Sequence, residues 1–214
     1  MARAGKTERV VEVPWLISHI GEPRNVLDVG GVDSSYIREL ISRASGKVTA
    51  IDTRHPDGIS GLAIDFKICN AANMPHAWEQ NFDLVTCVSV LDHIGLDAYG
   101  NRSEIGLLER AVSEIARVTT IGGRLLMTVP FGRDCTTDHP GGGQRVFDRE
   151  SLRELFAGQW EVISESYWRM IIGDIDRYEL PDDYLSCTLQ EAIGAEYQTY
   201  RAGAVVAMEL KRVK

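Results

Sequence analysis

Several features that would place a chain in a particular class are missing from these 214 residues. The four cysteines include no Cys-x-x-Cys pair, so the sequence favours neither a zinc site nor a disulfide framework, and we expect reduced thiols. Basic residues do not predominate: the net charge is -8, which disfavours a nucleic-acid partner. No apolar run approaches the roughly 20 residues that span a bilayer, and the first residues lack a signal-peptide core. We therefore expect a cytoplasmic protein that acts on a small molecule.

The composition and periodicity of the chain indicate one α/β domain, residues 1–214. Its 44% hydrophobic and 25% charged residues suit a globular domain with a substantial core. The predicted strands are Val26–Val29, Val48–Ile51, Leu62–Ile68, Phe82–Val88, Arg124–Val129, Glu161–Tyr167 and Val205–Leu210. The clearest helix is Leu107–Val118, with Gly122-Gly123 as its stop. This alternation predicts a mainly parallel, doubly wound sheet.

Four further segments complete the organisation. Residues 1–24 contain a leading helical segment. A loop rich in Gly, Asp and His runs over residues 131–143, and a helix is predicted near residues 151–156. Residues 170–202 are long for a connection, which predicts a functional or small helical insertion between the last two strands. Whether this insertion caps a site or forms a contact in a homodimer is left open.

The first predicted strand ends in a motif that suggests a ligand site. Val26-Leu27-Asp28-Val29 is followed by Gly30-Gly31, and Ser34 is predicted to cap the next helix. Glycine lets the backbone approach a ligand, and a helix N-terminus presents unpaired N–H groups. Taken alone, the motif is equally typical of an ordinary connection between a strand and a helix.

Four motifs occur in the order found in one enzyme family. They are Val26–Gly30, Val48–Asp52, Cys69–Pro75 and Asn81–Ile94, followed by Glu114–Val118 and Gly122–Pro130. From Val26 to Phe156 the chain therefore resembles the class I S-adenosylmethionine-dependent methyltransferases. The resemblance implies a Rossmann-like α/β fold with a seven-stranded sheet and an antiparallel C-terminal strand. It also implies methyl transfer as the activity and S-adenosylmethionine as the cofactor.

The same resemblance implies which residues hold the cofactor. Asp28 and the glycine turn would lie beneath its methionine part. The carboxylate of Asp52 would accept hydrogen bonds from both ribose hydroxyls, and the loop at Asn70 would meet the adenine. The implied cofactor-binding residues are Asp28, Gly30, Gly31, Asp52, Asn70, Ala71 and Ser89.

Two positions depart from the usual pattern of that family. Val32 or Asp33 replaces a further glycine, and Asn70 replaces a common aspartate. Because the missing glycines also break the G-x-G-x-x-G pattern, a nicotinamide-dependent oxidoreductase is disfavoured. A catalytically idle, cofactor-binding homologue stays open as an alternative.

A narrower resemblance concerns the acceptor of the methyl group. Ser89–Gly100, Thr128–Gly132 and Arg145–Asp148 are similar to segments of sugar O-methyltransferases encoded among polysaccharide genes. This similarity implies a hydroxyl of a carbohydrate as the acceptor and no nucleic-acid partner. The alternative acceptor is an amine or a carboxylate of a small metabolite, which needs no strong base or metal.

A hydroxyl acceptor has a pKa far above 7, so a base or a metal is expected beside it. The two candidate patches are Asp92-His93 after the fourth strand and Asp134, Asp138 and His139 in the loop after the fifth. We predict His93 or His139 as the base, with Asp92 as a further catalytic residue. Mg²⁺ is a candidate cofactor. Its leading candidate ligands are Asp92 and Asp134, and Asp138 and His139 are the next candidates. The alternative role for Asp92 is that of a helix N-cap. For Asp134, Asp138 and His139, the alternative is that they belong to a solvated loop without a catalytic role.

Three residues are candidates for binding the acceptor: Asp138, Arg145 and Tyr167. Arg145 could orient a hydroxylated or anionic group, and an ion pair with Asp148 or Glu150 is its alternative. The ring of Tyr167 could pack against a sugar, as could Tyr178, and packing inside the protein is the alternative for both.

Overall fold

The computed structural model describes residues 7–56, 61–139, 142–171, 183–196 and 203–214, without the side chains of Asp138 and His139. Ten strands are present in these residues: β1 Val26–Val29, β2 Val48–Asp52, β3 Asp65–Ile68, β4 Phe82–Val88, β5 Thr119–Phe131, β6 Cys135–His139, β7 Gly142–Val146, β8 Trp160–Ile171, β9 Asp183–Cys187 and β10 Ala204–Arg212. The helices are α1 Arg9–His19, α2 Ile37–Arg43, α3 Leu107–Val118, α4 Arg149–Leu155 and α5 Leu189–Ile193. None of the described helices is long and apolar enough to cross a membrane.

Eight of the strands form one sheet in the order β3-β2-β1-β4-β5-β10-β8-β9. The first five pair in parallel, whereas β10 is antiparallel to both β5 and β8, and β9 is antiparallel to β8. The predicted Rossmann-like α/β fold is therefore confirmed, including the antiparallel C-terminal strand. The chain runs outward from β1 to β3 and then returns to β4 on the other side of β1. In such sheets, ligands bind beyond the carboxyl ends of the strands at this reversal.

The sheet is covered on both faces. One apolar cluster joins it to α1 and α2 through residues such as Leu16 and Leu40. A second cluster joins the sheet to α3, α4 and α5 through residues such as Ile115 and Leu152. Every residue of β1 and β2 is buried, as expected for parallel strands that have helices on both sides.

The structure differs from the sequence prediction in the details of two segments. The sheet has eight strands rather than seven, because β9 and α5 lie within the predicted insertion at residues 170–202. Residues 172–182 and 197–202 of that insertion, with Tyr178, lie outside the described residues, so its role as a cap or dimer contact stays a prediction. The predicted loop over residues 131–143 contains β6 and the start of β7, which pair as an antiparallel hairpin.

The glycine pair after α3 has a different role from the one predicted. Gly122-Gly123 lies inside β5 rather than stopping α3, which ends at Val118. The pairing of β4 with β5 shifts between Phe82 and Leu84, so the glycines occupy an irregular part of the strand. Gly122 has a φ of +79°, a conformation that glycine adopts without strain.

Candidate functional site

A cavity of about 340 Å³ lies at the carboxyl ends of β1, β2 and β4. Its size is within the range of small-molecule sites. The predicted cofactor residues on its lining are Gly30, Asp52, Asn70, Ala71 and Ser89. Five residues separated by up to 59 positions in the chain thus meet at the place where the strand order reverses.

Asp28 lies beneath this cavity and is absent from its lining. Its buried carboxylate accepts hydrogen bonds from the hydroxyls of Ser34, Tyr36 at 3.0 Å and Thr86 at 2.6 Å. Burial raises the pKa of Asp28 to about 6, although the three hydroxyl donors oppose the change. These bonds give Asp28 a role in holding the turn, and its predicted contact with a cofactor stays a prediction. The hydroxyl of Ser34 donates to Asp28 and does not cap the predicted helix, because α2 begins at Ile37.

The glycine turn has one member in the cavity lining. Gly30 has a φ of +84°, and an added Cβ there would lie 2.3 Å from Cγ2 of Val90. Both the backbone conformation and the close approach of Val90 require glycine. An added Cβ at Gly31 would lie 2.7 Å from Cβ of Ala50, so Gly31 is needed for packing against β2 rather than for lining the cavity.

Asp52 ends β2 with its carboxylate at the cavity. Its Oδ1 accepts from the backbone N–H and Nε of Arg54 at 3.0 and 3.1 Å. Its Oδ2 accepts from Nη2 of Arg54 at 3.1 Å and from the backbone N–H of Val32 at 3.3 Å. Arg54 also pairs with Asp33 at 2.7 Å. Sequence reasoning missed Arg54, and its position two residues after Asp52 was the available signal.

The loop after β3 supplies another part of the lining through Cys69, Asn70 and Ala71. The side-chain oxygen of Asn70 accepts from the backbone N–H of Ala72 at 2.9 Å, which fixes the loop and leaves the amide nitrogen as the donor of this side chain. Cys69 is partly exposed in the cavity, and desolvation raises the pKa of its thiol.

Ser89 follows β4 and connects the cavity to α1. It has a φ of +48°, which is unusual for a non-glycine residue, and its hydroxyl donates to Oε1 of Glu12 at 2.6 Å. Thr128 donates to the same oxygen at 2.6 Å, and burial raises the pKa of Glu12. Arg9, 3.5 Å from Glu12, lines the cavity. Sequence reasoning missed both α1 residues, since charges on a half-buried helix carry no signal of a distant contact.

His93 lines the cavity, but both of its ring nitrogens face acceptors within the protein. Nδ1 lies 2.9 Å from the carbonyl oxygen of Gly143, and Nε2 lies 3.3 Å from Oδ2 of Asp92. Asp92 is fully buried, accepts from Nε2 of Gln144 at 2.9 Å and is absent from the lining. The geometry therefore does not present His93 as a base toward a ligand. Asp92 also caps no helix, because the next helix begins at Leu107.

The predicted metal site is not assembled by the described side chains, which contain no group of three His, Cys, Asp or Glu residues suited to a metal ion. Asp134 is exposed and does not line the cavity, and Asp92 points its Oδ2 toward Gln144 and His93. The side chains of Asp138 and His139 lie outside the described part of the chain, so their predicted roles as acceptor, base or metal residues stay predictions.

The other predicted acceptor residues are also absent from the cavity lining. The guanidinium of Arg145 lies 5.7 Å from the ring of Phe147. Tyr167 packs on Phe131 with ring centres 5.1 Å apart, and its hydroxyl donates to Glu165 at 2.7 Å. Tyr167 lines a second, mostly apolar pocket, so its ring packs inside the protein as the alternative interpretation held.

Residues 99–104 contribute to one side of the cavity, and sequence reasoning assigned none of them to the site. Tyr99, Asn101, Arg102 and Glu104 all belong to the lining. The guanidinium carbon of Arg54 lies 5.0 Å from the centre of the Tyr99 ring, and the amide of Asn101 donates to the hydroxyl of Thr53 at 3.3 Å. These contacts connect residues 99–101 to the end of β2, across the cavity.

A family model described as a methyltransferase domain matches residues 27–127, which span β1 to most of β5. No curated protein matches the chain.

Solved structures share the fold of this chain. One is the 1,6-didemethyltoxoflavin-N1-methyltransferase of Burkholderia thailandensis with S-adenosylhomocysteine bound: TM-score 0.65, 16% identity, covering 95% of this chain and 77% of that one. Another is the N-methyltransferase NodS of Bradyrhizobium japonicum WM9 with S-adenosylhomocysteine: TM-score 0.58, 12% identity, covering 97% and 87%. The [4+2]-cyclase SpnF has a TM-score of 0.56 at 22% identity and covers 78% and 66%. At these identities the likeness concerns the fold alone.

Proposed function

We propose that the protein transfers a methyl group from S-adenosylmethionine to a small-molecule acceptor. The observation that carries this proposal is the cavity at the strand reversal, where Gly30, Asp52 and Asn70 line one space. By the family resemblance, Gly30, Asp52 and Asn70 would meet the methionine, ribose and adenine parts of the cofactor, respectively. Val90 leaves no room for a side chain at position 30. Without a side chain, the backbone at Gly30 allows the close approach that the cofactor requires.

The chain's own residues would hold and position the reactants. Asp52 accepts hydrogen bonds from the ribose, Asn70 and Ala71 bound the adenine, and Ser89 lies at the methionine end. When bound, S-adenosylmethionine supplies an activated methyl group. Tyr99 and Asn101 belong to one wall of the cavity, and much of the rate comes from aligning the acceptor with the donor.

The geometry favours an acceptor that carries an available lone pair near neutral pH, namely a weakly basic amine or a carboxylate. A hydroxyl needs a base, and both nitrogens of His93 already face Gly143 and Asp92. The N-methyltransferases of the same fold agree with this choice. Methylation of a sugar hydroxyl is the second candidate, supported by the similarity of Ser89–Gly100 to sugar O-methyltransferases. In that case His139, with or without Mg²⁺, is the remaining predicted base.

Separate experiments test the binding of the cofactor and the transfer of its methyl group to an acceptor. Titration calorimetry should detect binding of S-adenosylmethionine and S-adenosylhomocysteine, and Asp52→Asn should weaken both. Asp65→Asn, a carboxylate-to-amide change on β3, is the matched control and should leave both affinities unchanged. Absence of binding to either compound would refute the proposal.

Turnover with methyl-labelled cofactor should then be measured on panels of amines, carboxylic acids and sugars. Mild alkali releases the label from a carboxyl ester but leaves N-methyl and sugar O-methyl products intact, and mass spectrometry separates the last two. Label that enters sugars alone would reverse our order of acceptors. Tight cofactor binding without transfer to any member of the panels would favour the idle, cofactor-binding homologue.

A further inference from the structure

The carboxylate of Asp52 already accepts as many hydrogen bonds as a carboxylate ordinarily can. Two donors reach Oδ1, and both belong to Arg54, at 3.0 and 3.1 Å. Two donors reach Oδ2, from Arg54 at 3.1 Å and from Val32 at 3.3 Å. Since an ionised carboxyl group offers about four acceptor positions, an additional donor can bind only if one of these leaves.

The four donors differ in how readily they can leave. The N–H groups of Val32 and Arg54 are parts of the backbone at the ends of β1 and β2. The Nε and Nη2 donors belong to a side chain that is one-third exposed and can rotate away. When it does so, one acceptor position opens on each oxygen of Asp52. A cis diol presents two adjacent hydroxyl donors, so it matches the arrangement that the guanidinium now satisfies.

We propose that Arg54 is an intramolecular competitor of the ribose diol for Asp52, and thereby sets the affinity for the cofactor. This inference rests on the proposed function, because it takes a nucleoside as the ligand. The guanidinium also has partners other than Asp52. It donates to Asp33 at 2.7 Å and lies 5.0 Å from the centre of the Tyr99 ring. Its charge at the cavity edge therefore does not depend on Asp52 alone.

Calorimetry with S-adenosylhomocysteine tests the competition. Arg54→Gln should bind about fivefold more tightly than the wild type, which corresponds to about 1 kcal/mol for a partly exposed ion pair. Arg54→Lys keeps the charge but cannot donate from two fixed nitrogens, so it should also bind more tightly. Arg102→Gln removes the same charge from the cavity lining without a contact to Asp52 and should give no tightening.

Two further comparisons separate competition for Asp52 from a general change in the cavity. The gain in Arg54→Gln should be present for adenosine and absent for 2′,3′-dideoxyadenosine, which lacks both hydroxyls. It should also disappear when Arg54→Gln is combined with Asp52→Asn. Thermal unfolding of each variant checks that the protein remains folded.

The outcomes distinguish this inference from the proposed function. If the wild type binds neither S-adenosylhomocysteine nor adenosine, the proposed function fails. If the wild type binds both, and folded Arg54→Gln and Arg54→Lys bind equally or more weakly, Arg54 does not compete with the ribose and only this inference is overturned. An equal gain with the dideoxy compound overturns it as well.

Discussion

The buried carboxyl group of Asp28 should make the stability of the protein depend on pH in an unusual direction. Aspartate ordinarily titrates near 3.9, whereas burial raises the pKa of Asp28 to about 6 in the folded protein. The folded state therefore binds a proton more readily than the unfolded state. A difference of about two pKa units corresponds to about 3 kcal/mol. Above pH 7 the ionised group lowers the free energy of unfolding by about this amount, and the loss is recovered as the pH falls from about 6 to about 4.

The assay compares the wild type with Asp28→Asn, which cannot titrate at this position. Free energies of unfolding are measured by urea denaturation between pH 7.5 and 4.5, and the variant's value is subtracted from that of the wild type. The difference should rise by about 2 kcal/mol between pH 7.5 and 4.5, which is the larger part of the full change of about 3 kcal/mol. Glu12, whose pKa burial also raises, is present in both proteins and cancels. Asp65→Asn is the control, because Asp65 is partly exposed and pairs with Lys67, so its difference should not rise.

The pH dependence of this difference in the free energy of unfolding tests whether the pKa of Asp28 is raised. A difference that stays constant from pH 7.5 to 4.5 would mean that the three hydroxyl donors fully offset burial. A difference that falls toward low pH would mean that the pKa is lowered in the folded state. Either result would refute our account of Asp28 as a carboxyl group whose burial outweighs its hydrogen bonds.

Three further predictions concern the cavity and the residues placed outside it. Gly30→Ala should lower the free energy of unfolding by about 1 to 3 kcal/mol more than Gly61→Ala, and it should weaken S-adenosylhomocysteine binding. Both glycines have φ near +85°, but only a Cβ at position 30 would meet a neighbouring side chain. Equal losses of stability in the two variants would contradict this reasoning. His93→Gln should keep kcat within about tenfold, since neither ring nitrogen is directed to a ligand, whereas a loss of about 10² to 10⁴ with a changed pH profile would restore its role as a base. Tyr167→Phe should leave kcat and KM unchanged and lower stability by about 1 kcal/mol through the lost bond to Glu165; a raised KM for the acceptor would place Tyr167 in the site after all.

Local sequence patterns determined the elements and their order. β1, β4 and α3 have the bounds that the patterns predict, because apolar periodicity and burial agree over the whole length of each. Strand order follows from right-handed connections between parallel strands, so residues at strand ends converge. The assignment of Gly30, Asp52 and Asn70 to one cofactor site came from the family resemblance, and all three line the same cavity.

Only the tertiary structure decided which donor meets which acceptor. Asp28 lies in a strand that is buried on both faces, so the sequence does not reveal that Thr86 lies beside it. His93 loses its role as a base through Gly143, fifty residues later. Arg9 and Tyr99 reach the cavity from a leading helix and an irregular segment without periodicity. Periodicity reports which side of an element is buried, whereas a hydrogen bond depends on the positions of two distant side chains, which packing sets.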